Sequence, residues 1–420
     1  MNKNFLALGL AAALLAPQVA GAEGFAINEW SAEGVAMGGA RMFAEDDAAN
    51  VAYNPASITK VQGEVMKSSS TYLSPHGSYK LYDSTGKEIE NEPTHNKVHA
   101  GWAVGSYYVR QINDKEWFGI GAFPRFAMVS EFERGSKASS NAFFSKLNGV
   151  SVTPTYAHKF DKKWSAAVGA EINYVGLELQ KNLVLPTFGV NGTTQIEGES
   201  YALGWNAAAN YTFDDKNEIG VVYRSRIKHS LEADLKGYGT KVGGGDIFGN
   251  AYGVVTLPDS WDIGYNHKFD KKTRLELKAT RTNWSTYDAL NVYFDKSIVG
   301  HPPIAESSLS AKNWSDGWRY AIGLEHNLSD KYTVMAGFAF DESSIPSDGG
   351  DFIVPTGLRR TYSIGARYND KKQTVAVALG WMDVGTLDFA GHHEKGDAYK
   401  SAHAYDSFTK IASISYQRKF

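Results

Sequence analysis

The residues best suited to chemistry in this 420-residue chain lie near its C-terminal end, where His392, His393, Glu394, Asp397 and His403 crowd into twelve positions. Imidazoles and carboxylates at such spacing can ligate a divalent metal. A polar, solvated loop has the same composition, and the sequence reads better as a loop than as a metal site. Other sets are missing. There is no Gly-x-Ser-x-Gly or His-Glu-x-x-His, and there are no cysteines, which removes thiol chemistry and disulfides. The run Gly243–Gly245 does not lead from a strand into a helix and is no phosphate cradle. A net charge of −3 gives no reason to expect nucleic acid as a partner. Neither catalysis nor a cofactor is expected.

What the sequence does repeat is a small polar phrase. Asp-Lys recurs in "INDKEW" (112–117), "KFDKKW" (159–164), "TFDDKN" (212–217), "KFDKKT" (268–273), "NLSDKY" (327–332) and "YNDKKQ" (368–373). Asp, Asn and Ser bond back to their own backbone, so each phrase reads as a tight turn. The flanks alternate. Trp261, Ile263, Tyr265, His267 and Phe269 interleave with Asp262, Gly264, Asn266 and Lys268, and Tyr332, Val334, Ala336, Phe338 and Phe340 continue the pattern. Period two over about ten residues marks a strand with one apolar face. Six turns join twelve strands. One more before the first turn (about 62–74) and one after the last (about 405–420) predict fourteen.

Short turns on one rim, long loops on the other and an even strand number predict an all-β fold, a 14-stranded antiparallel transmembrane β-barrel. Abundant Tyr, Phe and Trp (23, 21 and 10) suit aromatic girdles. Lys3, the apolar run 5–16 and "AGA" at 20–22 read as a secretory signal peptide over residues 1–22. The barrel is assigned 62–420, in the outer membrane of a Gram-negative bacterium. Its alternating last strand ends on Phe420, like the signal that barrel-assembly machinery reads. Residues 23–61 do not alternate and are rich in Gly, Ala and large apolar side chains, which predicts a hatch inside the lumen.

"GFAINEWSAEGVAMGGA", then "DDAANVAYNPAS", resembles the N-terminal hatch of the outer-membrane long-chain fatty acid transporter (FadL-type) family, with Asn54-Pro55-Ala56 as the most recognisable mark. "LPDSWDIGYNHKF", "TNWSTYDAL" and "PTGLRRTYSIGARY" are similar to that family's strands. The resemblance spans nearly the whole mature chain. It implies passive uptake of long-chain fatty acids or other apolar molecules, with Phe25 reaching into an inner pocket and a lateral exit at an inward kink of strand three. Strand three holds Gly119, Gly121 and Pro124, poor residues for a continuous ladder, and its partner holds Pro154; these are the candidate lateral gate. The resemblance also implies a capture groove on the outer loops, for which Leu183, Leu185, Phe188, Ile247 and Phe248 are the candidates.

If Tyr223, Ile227 and Leu231 face lipid, then Arg224, Arg226 and Lys228 face the lumen, as do Lys278, Arg319 and Arg367. These cations are expected to dock an acidic hatch (Glu23, Glu29, Glu33, Glu45, Asp46 and Asp47) or to bind a carboxylate. Aromatic hydrocarbons are an alternative cargo, and a general porin, an adhesin or a phage receptor are alternative functions. Outer-membrane lipid and lipopolysaccharide are expected neighbours, and the barrel is expected to be a monomer.

Overall fold

The repeated phrase is a turn with a fixed internal design. In the computed structural model, which describes residues 24–89, 94–98, 100–242, 244–299, 306–346, 350–388 and 398–420, Asp161 Oδ1 accepts the N–H of Lys163 at 2.7 Å and of Trp164 at 2.8 Å. Asp214, Asp270 and Ser329 repeat the arrangement with Lys216 and Asn217, Lys272 and Thr273, and Lys331 and Tyr332. Asn113 takes the N–H of Lys115. These backbone bonds hold the Asp161 and Asp270 carboxyls below the usual aspartate range; at Asp214 the Asn217 side-chain amide is the main cause of the same lowering, and the backbone bonds add to it.

The turns join fourteen antiparallel strands. In chain order these are β1 Glu64–Tyr82, β2 Gly101–Gln111, β3 Glu116–Phe123 continued by Ala127–Glu131, β4 Phe144–Lys159 and β5 Trp164–Leu185. Next come β6 Val190–Thr212, β7 Asn217–Arg224 continued by Ile227–Tyr238, β8 Ile247–Leu257 continued by Ser260–Lys268, and β9 Thr273–Thr282 continued by Ala289–Phe294. The last are β10 Ser307–Ala311 continued by Gly317–Asn327, β11 Tyr332–Asp341, β12 Arg359–Asn369, β13 Gln373–Val384 and β14 Ser401–Lys419. Each pairs with its neighbour, and β1 pairs with β14 from Val65↔Lys419 to Tyr82↔Ser401, so the sheet closes into a barrel. The side chain just before each of five turns (Ile112, Phe160, Phe213, Phe269, Leu328) is 51–58% exposed, forming an apolar band around that rim.

Residues 24–63 run inside the ring. They hold two short helices, α1 Ala32–Ala36 and α2 Asn50–Tyr53, and a 3-10 turn Pro55–Lys60, all but Lys60 buried. Ser31 caps α1 through its side chain, which accepts the Gly34 N–H. α1 packs against β13 and β12, and the 3-10 turn against β4, β5 and β6. Gly38 sits at φ +62°, where a Cβ would meet the backbone of Phe338, and Gly337 of β11 faces it, so two backbones touch without side chains between them.

Candidate functional site

Strand three breaks where its proline is. Pairing with β2 runs from Gln111↔Trp117 to Ser106↔Ala122 and then stops, although β2 continues back to Gly101. On the other side, Phe123 opposes Ser151 and Ala127 opposes Asn148, so four steps of β3 face three of β4, a one-residue bulge at Pro124–Phe126. Beyond the break, the edge of β3 turned away from β4 is bonded by other parts of the chain. Ala127 N–H donates to Phe25 O at 2.9 Å, Ile27 N–H donates to Arg125 O at 2.8 Å, and Lys97 N–H donates to Glu131 O at 2.7 Å. Trp30 Nε1–H donates to Pro124 O at 2.6 Å.

The two glycines expected to loosen this strand do something else. Gly119 pairs with Val109 and Thr155, and Gly121 with Tyr107 and Thr153, so the ladder is intact at both. A Cβ on Gly121 would lie 3.0 Å from Val51 of α2 and one on Gly119 2.8 Å from it, so they make room for the N-terminal segment. Pro154 is paired with Ile120 of β3; the pairing of β4 with β5 lapses at Thr153–Pro154, between Val152↔Ile172 and Thr155↔Gly169.

Phe25 is 1% exposed and sits in a box of aromatic rings. Trp284, Tyr287, Trp314 and Phe126 surround it at centroid distances of 4.8, 5.2, 5.9 and 6.0 Å. Trp284 and Tyr287 come from the interruption of β9 and Trp314 from that of β10, so breaks in the ladders deliver rings into the lumen. The indole N–H groups of Trp284 and Trp314 are buried with no acceptor among the described residues. Beside the box a buried ion pair joins Lys312 to Asp351. The apolar cluster extends outward through Tyr79, Phe132 and Phe352.

Arg125, within the bulge, is 4% exposed and donates to Glu171 Oε2 at 2.7 Å. Glu171 also accepts from Ser151, and Asn173 links Ser151 to His229. A continuous polar chain thus ties the break to β7.

Four of the six expected lumen cations lie inside the barrel, and each has a carboxylate on the wall. Arg224 pairs with Asp262 at 2.6 Å, Lys278 with Asp262 at 3.1 Å, Arg319 with Asp341 at 2.8 Å and Arg367 with Glu325 at 3.3 Å. What Arg224 and Arg319 offer the N-terminal segment is hydrogen bonds to backbone, to Ala52 O and to Gly38 O. Arg226 and Lys228 are exposed on the outer face, contrary to the sequence reading. The registers of β7 against β6, Arg224↔Asn206 and Glu232↔Glu199, differ by one residue, and this slip at Ser225–Arg226 turns Ile227, His229 and Leu231 inward.

The carboxylates of the N-terminal segment find other cations. Lys67 of β1 bonds Glu33 at 2.8 Å and Asp47 at 2.9 Å, Lys268 bonds Glu45 at 3.2 Å, and Lys419 bonds Asp46 at 3.1 Å. Arg41 bridges Asp47 and wall Glu325. Glu29 is buried and its carboxyl is pushed up by burial, with Arg319 opposing. Asn54 donates to Asn210 of β6 at 2.7 Å and caps Ala56 N–H, and Pro55 begins the 3-10 turn, which explains the Asn-Pro-Ala triplet as a corner pinned to the wall.

The expected capture residues do not form one surface. Residues 181–190 are mostly strand, the tip of the β5–β6 hairpin, with Leu183 and Leu185 half-buried and Phe188 45% exposed. Ile247 is buried against Leu235 and Ile298, whereas Phe248 faces outward against Tyr238. His392, His393, Glu394, Asp397, Gly243 and Glu23 lie outside the described residues; no metal-binding group of three ligands exists among the described ones.

The chain is similar to known proteins in sequence and fold. A model of the family described as outer membrane protein transport protein (OMPP1/FadL/TodX) matches residues 13–420. The chain belongs to this family. It is 24% identical to the long-chain fatty acid transport protein of Escherichia coli K12, over 90% of this chain and 91% of that one. It is also 24% identical to outer membrane protein P1 of Haemophilus influenzae, over 90% and 89% of the two chains. The crystal structure of a Pseudomonas aeruginosa FadL homologue superposes with a TM-score of 0.84 at 17% identity, covering 94% of this chain and all (100%) of that one. The Ralstonia pickettii toluene transporter TbuX gives 0.69 at 17% identity, covering 94% and 99%. The chain is therefore an outer-membrane β-barrel transport protein of the Gram-negative type.

Proposed function

We propose that this barrel takes up long-chain fatty acids by passive diffusion, with residues 24–61 acting as a hatch, and releases them sideways through the break in β3. The observation that carries the reading is the aromatic box filled by Phe25, beside the only interruption of β3 and bonded to it through Phe25 O and Trp30. A ligand that enters the box must move Phe25. Moving Phe25 strains the bonds of residues 25–30 to Arg125, Ala127 and Pro124, so occupancy and release at the break are coupled. A long alkyl chain gains about 0.8 kcal/mol for each buried CH₂, which opposes release into water and favours a route through the wall into the membrane.

The fatty carboxylate fits the polar side of the box. Lys312, itself paired with Asp351, and the two buried indole N–H donors lie there, and the carboxylate would join that pair. Of the six cations expected from the sequence, four are engaged by wall carboxylates away from the box and two face outward. The hairpin tip with Leu183, Leu185 and Phe188 supplies the first outer contact. An aromatic hydrocarbon is the second reading, favoured by a box made of rings and by the fold shared with a toluene transporter.

Mass spectrometry of ligand copurified with the barrel, followed by competition between oleate and toluene, tests this. Bound fatty acid displaced by oleate at lower concentration than by toluene supports the proposal. A site emptied by toluene and indifferent to oleate would assign the hydrocarbon.

A further inference from the structure

All six short turns place lysine at the same position. Lys115, Lys163, Lys216, Lys272, Lys331 and Lys372 each stand two residues after the polar residue that opens the turn. Five of them give their N–H to that residue's side chain. All six give their carbonyl to the neighbouring hairpin, accepting from Lys159, Thr212, Lys268, Asn327, Asn369 and Lys419 at 2.7–2.9 Å. The turn therefore uses the backbone of this residue on both sides and makes no demand on its side chain. Any residue able to adopt the turn would serve, yet lysine stands there six times.

The six side chains are all exposed, and none makes an ion pair with a described residue. By contrast, Lys268 and Lys419 on the same rim pair with Glu45 and Asp46 of the N-terminal segment, and Lys60 of that segment pairs with Glu218 of β7. Three further lysines, Lys162, Lys271 and Lys371, double the cation in alternate turns, where the aspartate is already bonded to backbone N–H groups or, at Asp370, to that of Lys371. In each of five turns the lysine stands three residues past an exposed Ile, Phe or Leu of the apolar band. That spacing sets the ammonium groups just beyond the hydrocarbon edge, at the level of lipid headgroups.

We propose that these lysines form a ring that binds the phosphates of phospholipid headgroups in the periplasmic leaflet, fixing the depth of the barrel. Lysine recurs at every turn around the circumference, doubled at 162–163, 271–272 and 371–372 and next to Asp114, Asp215 or Asp330 in the other three, a distribution that matches a surrounding layer of phosphates; a protein partner would need one localised patch.

The test uses the mature full-length barrel and a variant with all six lysines changed to glutamine, which keeps the backbone bonds. Heat-modifiable migration checks folding. Native mass spectrometry then counts phosphatidylglycerol and, separately, the phosphate-free lipid digalactosyldiacylglycerol retained after detergent exchange. The expected result is retained phosphatidylglycerol on the parent and about fivefold weaker retention for each lysine lost, with the galactolipid unchanged. If six changes impair folding, the three-residue variant K163Q/K272Q/K372Q must show an intermediate loss. Equal phosphatidylglycerol retention by parent and folded variant would overturn the proposal, as would an equal loss of both lipids. A loss seen only in binding to isolated peptidoglycan sacculi would reassign the ring to that polymer.

Discussion

The indole N–H of Trp30, on the N-terminal segment, is bonded to the carbonyl of Pro124 at the break of β3. This contact spans 94 residues of sequence and joins the N-terminal segment to the interruption of β3. Replacing Trp30 by Phe keeps most of the packing against Tyr53 and Phe123 but removes the donor. Leaving that carbonyl unpaired costs about 1–3 kcal/mol where it stays buried. The bonded state should lose population, and planar-bilayer recordings should show more frequent openings than the parent.

On the proposed function, Phe25 and ligand compete for the aromatic box. Phe25→Ala should raise the affinity for a fluorescent fatty acid measured in detergent, because the intramolecular occupant is gone. It should also lower the melting temperature, since Phe→Ala in a filled core costs about 3–5 kcal/mol. A weaker ligand affinity at equal folding would place the ligand elsewhere.

The carboxylates Glu45, Asp46 and Asp47 each face a lysine or arginine. Changing all three to Lys should loosen the N-terminal segment and give larger or noisier conductance. Asp47 should account for most of the effect, because it is buried between Lys67 and Arg41 while Glu45 and Asp46 sit at the rim.

Acid should weaken the periplasmic rim. Asp161, Asp214 and Asp270 have folded-state pKa values below their unfolded ones, held there by backbone N–H bonds and, at Asp214, first by the Asn217 side-chain amide. Their contribution is complete above the unfolded value of about 3.9 and is lost as pH falls through the lower folded values. Melting temperature should be flat near neutrality and drop below about pH 4. The triple Asp→Asn variant, which keeps the turn bond, should show a shallower drop.

The barrel was legible because its signals are local. Period-two alternation and the turn phrases need only neighbours in sequence, and both survive into the structure. The site depends on where alternation fails. One extra residue near Ser225 reversed the face of Arg226 and Lys228, and nothing in "YRSRIKHS" marks the slip, since Tyr223 and Ile227 keep an even spacing across it. Pro124 did mark the break of β3, because proline cannot donate to a ladder. Gly119 and Gly121 were misread since a glycine that loosens a strand and one that admits a helix look alike in sequence. Trp284, Trp314, Arg125 and Lys67 were missed, because their partners lie on distant strands that only closure of the barrel brings together.

The central claim is that cargo leaves through the break in β3. Removing Phe126 and changing Pro124 to Thr takes out the extra residue and restores an N–H, so β3 can pair continuously with β2 beyond Ser106↔Ala122. The measurement is uptake of radiolabelled oleate by cells carrying the folded variant, with ligand binding in detergent assayed alongside. The expected result is that uptake is lost while ligand binding, weakened by the missing Phe126 ring, stays measurable. Uptake at the parental rate through a barrel whose β3 is continuous would contradict it.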